Sequence, residues 1–203
     1  MERRTINAAM LCAAATVLLT AADLGAKQWA VGALSETRTF EVPPACTPNE
    51  HGNYYMQRGR GDVIELLPGY LELRYAENCG AAFGMLDDAP RWLRVGVFMT
   101  AGVLAVIALG AMFVRGSGGT QFAAAVPLIV SGALGNMIDR VRLGYVVDFI
   151  HFHIHDHFEW PTFNVADSTI TIGVALLLLD GLRKPSDQPA AAPSPAPTQS
   201  AGT

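Results

Sequence analysis

Charged residues are scarce in this chain. Asp, Glu, Lys and Arg make up 16% of its 203 residues, whereas ordinary soluble domains carry about 25%. The basic residues form neither a cluster nor a stripe interleaved with aromatic residues, and the formal net charge is −4. Both observations argue against a nucleic-acid partner. A hydrophobic content of 51% with so little charge indicates a membrane protein.

Cysteine is also rare, and no metal-binding spacing of the CxxC or HExxH kind occurs. Of the three cysteines, Cys12 lies inside an apolar run, where it serves as a small apolar side chain. Cys46 and Cys79 both lie between the first and second apolar runs. They would be able to form a disulfide if that side of the membrane is oxidising.

Four long apolar runs account for the hydrophobic content. They cover residues 6–22, 95–114, 122–138 and 162–179, and only the last contains a charge. A helix needs about 17–25 apolar residues to cross the hydrocarbon core, so each run predicts a spanning helix. The first run could also be a cleavable signal peptide, but the apolar character resumes beyond it and three more runs follow. We therefore expect an uncleaved first span.

Basic residues in the short loops predict the orientation. Arg3 and Arg4 precede the first run, Arg115 follows the second, and an Arg-Lys pair follows the fourth. The positive-inside rule places all of them on the cytoplasmic side. Both termini are then cytoplasmic, while residues 23–92 and 139–161 lie on the outer side.

The chain is predicted to form one membrane domain, residues 1–184, with an outer insert at about residues 36–90. Within the insert, the stretch VIELLPGYLELRY predicts a β-hairpin, because Leu71 and Leu73 alternate with charged residues and a Pro-Gly pair supplies the turn. Residues 185–203 are rich in Pro, Ala and Ser, which predicts a disordered cytoplasmic tail.

Polar residues collect at one level of one membrane face in this topology. Polar groups at the edge of a bilayer are costly, and they are rare unless they pair or have a function. The residues concerned are Asp23, Lys27, Asn78, Asn136, Asp139, Arg140, Asp148, Asn164 and Asp167.

Several of these residues have simple structural explanations. Asp23 and Lys27 are spaced i,i+4 and can pair on one helix face. Asp139 adjoins Arg140, and an ion pair between them would tie the third span to the outer loop. Asn78 lies in NCGAAFG, where it could simply form a turn.

Asp148 and Asp167 are harder to explain by structure alone, because each lies in an apolar stretch. If both carboxyls face one pocket, like charges a few ångströms apart raise one pKa strongly, and the pair shares a proton. That condition suits hydrolysis, in which one carboxylate takes a proton from water and the other protonates the carbonyl or the leaving amine.

Four histidines at alternate positions lie between these aspartates: His151, His153, His155 and His157. An extended strand would place all four on one face, so a zinc site is an alternative. The segment nevertheless reads as an outer loop with solvated imidazoles, and we expect no metal. In that interpretation it is a tether that brings the two aspartates together.

The polar residues also fall in motifs that resemble the lipoprotein signal peptidase (signal peptidase II) family of bacterial intramembrane aspartyl proteases. In chain order these motifs are D-x-x-x-K at Asp23, NCGAAFG at Asn78, GNMIDR at Gly135, VVDFI around Asp148 and FNVADS at Phe163. The motifs come in the family's order and reach all four spans. The insert between the first two motifs is longer than is usual for the family, and Cys79 occupies a variable position.

The resemblance implies an all-α membrane protein of four transmembrane helices. A small extracytoplasmic β-structure between helices 1 and 2 would cradle the substrate. It implies that Asp148 and Asp167 are catalytic. The remaining residues divide into two sets. Asn78, Gly80, Asn136, Arg140 and Asn164 would line the site, and Asp23, Lys27 and Asp139 would support it.

The resemblance also implies an activity. The enzyme would remove the signal peptide from diacylglyceryl-modified prolipoproteins, cleaving just before the lipidated cysteine. It would act as a monomer in the bacterial inner membrane, in contact with membrane lipid, without a cofactor, and globomycin-type cyclic peptides would inhibit it. Two other classes compete with this interpretation: a zinc hydrolase that uses the histidines, and a proton-coupled transporter. Four spans and the lack of an inverted repeat count against the transporter.

Overall fold

A computed structural model describes the chain over residues 2–49, 53–80, 91–116, 118–155 and 157–182. The described residues form four α-helices: α1 (Glu2–Leu34), α2 (Arg91–Val114), α3 (Thr120–Arg142) and α4 (Val165–Leu182). Each contains a segment long and apolar enough to span a membrane, which confirms the four predicted spans. The predicted disordered tail lies outside the described residues, as does part of the insert.

Helix α3 lies at the centre and packs against the other three helices. In α3, 50% of the most apolar segment is buried, compared with 6% of the corresponding segment in α1 and 0% in α2. Small residues permit this packing. A side chain at Gly132 would collide with the backbone oxygen of Ala166, and one at Gly135 would collide with the carboxylate of Asp23. Gly132 and Gly135 therefore bring α4 and α1 close to α3.

Helix α1 continues well beyond the apolar run that predicted it, to Leu34. Asp23 and Lys27 lie inside it, and each is 2% exposed. The helix is not interrupted by these charges because they pair with each other, Nζ to Oδ2, at 2.9 Å. Beyond them, Ala30 and Leu34 return to a fully buried apolar core.

Two antiparallel sheets complete the structure. A small one pairs β1 (Ser35–Glu36) with β2 (Gly59–Arg60). The larger has the strand order β3-β4-β5-β6. Its strands are β3 (Ile64–Leu67), β4 (Leu71–Asn78), β5 (Val146–Ile154) and β6 (Phe158–Glu159).

The predicted hairpin is the β3–β4 pair. Gly69 in its turn has a φ of 80°, a conformation that glycine adopts readily. Strand β4 then pairs antiparallel with β5, with Leu73 opposite Ile150 and Asn78 opposite Val146. The sheet thus joins the outer insert to the segment between α3 and α4.

The interpretation of the histidine-bearing segment between α3 and α4 as a loop was therefore wrong. The segment contains β5, a nine-residue strand at the centre of the larger sheet. The sequence carries the signal for it, because Ile150 and Phe152 alternate with His151 and His153, and that period of two is typical of a strand.

A buried cluster joins the sheet to α1. Tyr75 of β4 and Phe149 of β5 pack there with Leu34. Cys46 belongs to the same cluster and forms a disulfide with Cys79, with 5.4 Å between the Cα atoms. This pairing agrees with the conditional expectation from the sequence.

Candidate active site

Asp148 lies on β5 opposite Ala76 of β4 and is 2% exposed. Both of its carboxyl oxygens accept hydrogen bonds from asparagine side chains. Asn164 Nδ2 donates to Oδ1 at 2.6 Å, and Asn78 Nδ2 donates to Oδ2 at 2.8 Å. The carboxyl group is therefore oriented by residues from two other segments of the chain.

Asp167 is held by the way in which α4 begins. Asn164 immediately precedes the helix, and its Oδ1 accepts the backbone N–H of Asp167 at 2.9 Å. In return, Asp167 Oδ2 accepts the backbone N–H of Asn164 at 3.2 Å. This reciprocal arrangement is a capping box. The first turn of α4 thereby fixes the direction of the Asp167 carboxyl.

Asn164 is consequently bonded to both aspartates, one through its side chain and the other through its backbone. It is fully buried. Asn136 of α3 adds a third connection. Its Nδ2 donates to Asp167 Oδ1 at 2.8 Å, while its Oδ1 accepts Asn164 Nδ2 at 3.2 Å. Two carboxyl groups that are 19 positions apart in sequence thus share one hydrogen-bond network.

A buried lysine supports this network from α1. Lys27 Nζ donates to Asn136 Oδ1 at 2.8 Å and lies 3.3 Å from Asp139 Oδ2. Its other partner, Asp23, accepts the backbone N–H of Ala166 at 2.8 Å. Asp23 therefore holds the start of α4. The expected i,i+4 pair of Asp23 and Lys27 is confirmed.

The expected pairing of Asp139 with Arg140 was wrong. Asp139 pairs with Lys27 instead, and its Oδ2 accepts the backbone N–H of Val147 at 3.1 Å. Asp139 does tie α3 to the following segment, but it does so through the backbone of β5. Arg140 turns to the other side and donates to the backbone oxygen of Gly80 at 3.2 Å.

The Asn78–Gly80 segment follows directly from β4 and adjoins the carboxyl pair. Gly80 N donates to Asn78 Oδ1 at 3.1 Å, so the amide that contacts Asp148 is oriented by its own neighbour. The Arg140 guanidinium links this segment to α3, and it also lies 5.2 Å from the centre of the Phe98 ring. The residues predicted to line the site therefore lie together in one hydrogen-bond network around the two carboxyls.

Electrostatics at Asp148 are dominated by burial. Loss of water and the neighbouring Asp167 raise the pKa of Asp148 to about 8, against the opposing effect of the Asn78 and Asn164 hydrogen bonds and of Lys27. A carboxyl with such a pKa retains its proton near neutral pH. That state suits a pair that shares one proton.

Both carboxyls line a cavity of about 900 Å³. Its walls also include the Asn78–Gly80 segment and Arg140, and they continue over apolar side chains of β5, α4 and the segment before α4. The apolar members include Val146, Trp160, Phe163, Ile170 and Ile172. A mostly apolar cavity with a few convergent polar groups is typical of a binding site.

The histidines lie apart from this chemistry. His151 and His153 stack at 5.3 Å between ring centres, and His155 has a φ of 46° in the turn after β5 and contacts the Tyr70 ring. Burial and the nearby Arg74 lower the pKa of His151. Over the described ranges, no three His, Cys, Asp or Glu side chains are grouped to hold a metal ion.

Sequence reasoning missed two features of the site. Cys79 lines the cavity, although it was noted only as a disulfide candidate. The capping box at Asn164 and Asp167 was also overlooked. Its signal was present, because an N-x-x-D spacing before an apolar run is a helix-start pattern.

Four helices able to span a membrane, with two carboxyls in one hydrogen-bond network beside a sheet, define the class: a multi-pass membrane protein with a two-carboxyl site. The particular family follows from comparison. The family model described as signal peptidase (SPase) II matches residues 15–183, and the chain belongs to this family of membrane peptidases. The predicted family and the predicted fold class, four helices with a small antiparallel sheet, are thereby confirmed.

Individual relatives point to the same family. The chain is 44% identical over 119 residues to the lipoprotein signal peptidase of Acinetobacter baylyi, a match that covers 59% of this chain and 65% of that protein. It is 44% identical over 122 residues to that of Paraburkholderia phytofirmans, covering 60% of this chain and 70% of that protein. The first match thus spans just under two thirds of the relative's length.

Solved structures show the same architecture. One bacterial membrane enzyme superposes with a TM-score of 0.64 at 27% identity, covering 91% of this chain and 94% of that one. A second gives a TM-score of 0.61 at 29% identity, covering 85% and 93%.

Proposed function

We propose that this protein removes signal peptides from lipid-modified prolipoproteins by an aspartyl mechanism. The observation that carries the proposal is a pair of carboxyls, the buried Asp148 and the partly buried Asp167. One asparagine holds both on the wall of a mostly apolar cavity. Membership of a peptidase family favours this reading over a transporter.

The proposed chemistry uses the proton shared by the pair. The ionised carboxylate takes a proton from a water molecule, whose oxygen attacks the carbonyl carbon of the scissile peptide bond. The other carboxyl donates its proton to the carbonyl oxygen. The first carboxyl then passes the proton taken from water to the leaving amine as the C–N bond breaks, and the second regains a proton from a hydroxyl of the tetrahedral intermediate. Asn78, Asn136 and Asn164 keep the two carboxyls in register, which is the role of positioning groups in such reactions.

The proposed substrate is a prolipoprotein whose lipobox cysteine carries diacylglycerol, and the bond cleaved is the one before that cysteine. Apolar cavity walls such as Ile170 and Ile172 of α4 would accept acyl chains directly from the bilayer. The larger sheet would clamp the peptide, and Arg140 and the Asn78–Gly80 segment would contact its backbone.

We further propose that the protein resides in the bacterial inner membrane as a monomer with both termini in the cytoplasm. The active site is then on the outer side, where lipid-modified precursors emerge. The reaction needs no cofactor, and a globomycin-type cyclic peptide would compete for the cavity.

The proposal is tested with the purified full-length protein in lipid vesicles. We expect cleavage of a diacylglyceryl-modified prolipoprotein, no cleavage of the same precursor without lipid, and inhibition by globomycin. Mass spectrometry of the product should show the lipidated cysteine at its new N-terminus. Cleavage at another bond, or equal cleavage of the unlipidated precursor, would contradict the proposed specificity.

A further inference from the structure

Cys79 occupies a sensitive position between two residues of the site. Asn78 on one side donates to Asp148 Oδ2 at 2.8 Å, and Gly80 on the other accepts a hydrogen bond from Arg140 at 3.2 Å. Cys79 itself is half-buried and lines the cavity. Any movement of Cys79 is therefore transmitted directly to the donor that orients a carboxyl of the pair.

The other half of the disulfide is firmly anchored. Cys46 is 4% exposed and packs in the cluster that includes Leu34 of α1 and Tyr75 of β4. Its φ of 63° lies in the left-handed region, which is uncommon for residues other than glycine and persists only where the surroundings determine it. Cys46 thus provides a fixed point inside the long outer insert.

A second fastening joins the insert to the same end of β4. The Glu77 carboxylate accepts the backbone N–H groups of Gln57 at 2.7 Å and Arg58 at 2.9 Å. The hydroxyl of Tyr75 donates to it at 3.0 Å. Residues 46, 57 and 58 of the insert therefore hold residues 77 and 79, on either side of Asn78.

The end of β4 needs such support. Asn78 is the last residue of the strand, and the ends of strands open locally more readily than their centres. The disulfide closes a loop with a sequence separation of 33 residues and ties the end of β4 to the cluster that contains Leu34 of α1. If this disulfide positions Asn78, the long insert has a specific function in the site.

We propose that the Cys46–Cys79 disulfide is a positioning element of the active site, so that its reduction slows peptide-bond cleavage while the protein stays folded. The inference rests on the proposed peptidase activity. Reduction by a small dithiol breaks the Sγ–Sγ bond. Two electrons and two protons pass to the cysteines, giving two thiols, and the dithiol is oxidised to its cyclic disulfide.

The test uses full-length protein carrying Cys12→Ser, which leaves only the two bonded cysteines. Its activity on a diacylglyceryl-modified prolipoprotein is measured in three states: oxidised, reduced with dithiothreitol, and reoxidised. Mass spectrometry counts the free thiols in each state. We expect kcat to fall by about 10- to 100-fold, as for a catalytic group displaced by about 1 Å, with KM within about twofold. Reoxidation should restore kcat.

A matched variant, Cys46→Ser with Cys79→Ser in the same background, should have the low kcat of the reduced protein and no response to dithiothreitol. Glu77→Gln weakens the other fastening, because one of its two acceptor oxygens is replaced by an amide nitrogen, and it should lower kcat in the same direction. Its effect and that of reduction should be less than multiplicative, since both act on Asn78.

Hydrogen exchange supplies a readout that does not depend on activity. Reduction should raise the exchange of amides at residues 77–80 and leave α3 and α4 unchanged. The inference would be overturned if the oxidised protein cleaves the substrate and reduction changes neither kcat nor the hydrogen exchange of residues 77–80. If the oxidised protein does not cleave at all, the proposed function fails, and the exchange measurement alone decides whether the disulfide positions Asn78.

Discussion

The two carboxyls of the site are held in different ways. Asp167 is fixed by its own helix, through a capping box with a residue three positions earlier. Asp148 lies on a strand and is fixed by side chains that are 70 and 16 positions away. Asp167 therefore depends mainly on local sequence, with one further bond from Asn136 of α3, whereas Asp148 depends on the assembly of the sheet. Asn164 is the residue that takes part in both arrangements.

The largest effect should come from removing either carboxyl. We expect Asp148→Asn and Asp167→Asn each to lower kcat by at least about 1,000-fold, because members of a catalytic unit are not independent. Asp180→Asn is the matched control, since Asp180 lies in the last turns of α4 and accepts the backbone N–H of Gly119. Activity on the lipidated precursor is the measurement, and a variant of the pair that keeps a tenth of wild-type activity would rule out the dyad.

Lys27→Met should mainly affect stability. It leaves the buried Asp23 and Asp139 without their cation, and breaking a buried pair in this way costs about 3–5 kcal/mol. Because Asp23 and Asp139 hold α4 and β5 respectively, activity should fall along with the unfolding midpoint. Unchanged thermal unfolding in detergent would show that the lysine is not needed to hold the two segments together.

Substitutions at Asn164 separate the effect of the helix cap at Asp167 from the effect of the hydrogen bond to Asp148. Asn164→Ala removes the cap as well as the bond to Asp148, so we expect a loss of about 0.5–2 kcal/mol in stability together with reduced kcat. Asn164→Ser keeps a capping oxygen for the Asp167 amide but loses the Nδ2 donor. It should therefore recover most of the stability and little of the kcat. Full recovery of both would show that the bond to Asp148 is dispensable.

The smallest expected effect is on the pH dependence. The pKa of Asp148 is raised to about 8, so the shared proton is lost as the pH rises through that value, and kcat/KM should decline on the alkaline side. The Asn78 hydrogen bond lowers the pKa of Asp148. Asn78→Ala should therefore move the alkaline limb to higher pH while lowering kcat. A shift to lower pH would contradict the assigned direction of this bond.

The spans and the family motifs could be predicted because their signals are local. Long uncharged runs specify helices in a bilayer, and each motif falls within a few adjacent residues. The sheet was only partly predicted. The β3–β4 hairpin has its turn and alternation in one stretch. Strand β5 instead pairs with residues 68 to 81 positions earlier, and its histidines suggested metal chemistry.

The sequence by itself determined four helices that are long and apolar enough to cross a membrane. It also predicted that the polar residues would collect together, because burying unpaired charge in lipid is costly. The sequence likewise determined the capping box at Asp167, since it is closed within one helical turn, whereas the bond from Asn136 of α3 to the same carboxyl formed only on packing. Only the tertiary structure decided that Lys27 also contacts Asn136 and Asp139, and which groups bond to Asp139 and Asp148. Those bonds join α1, α3 and β5 to one another, and contacts between distant segments exist only once the segments have packed.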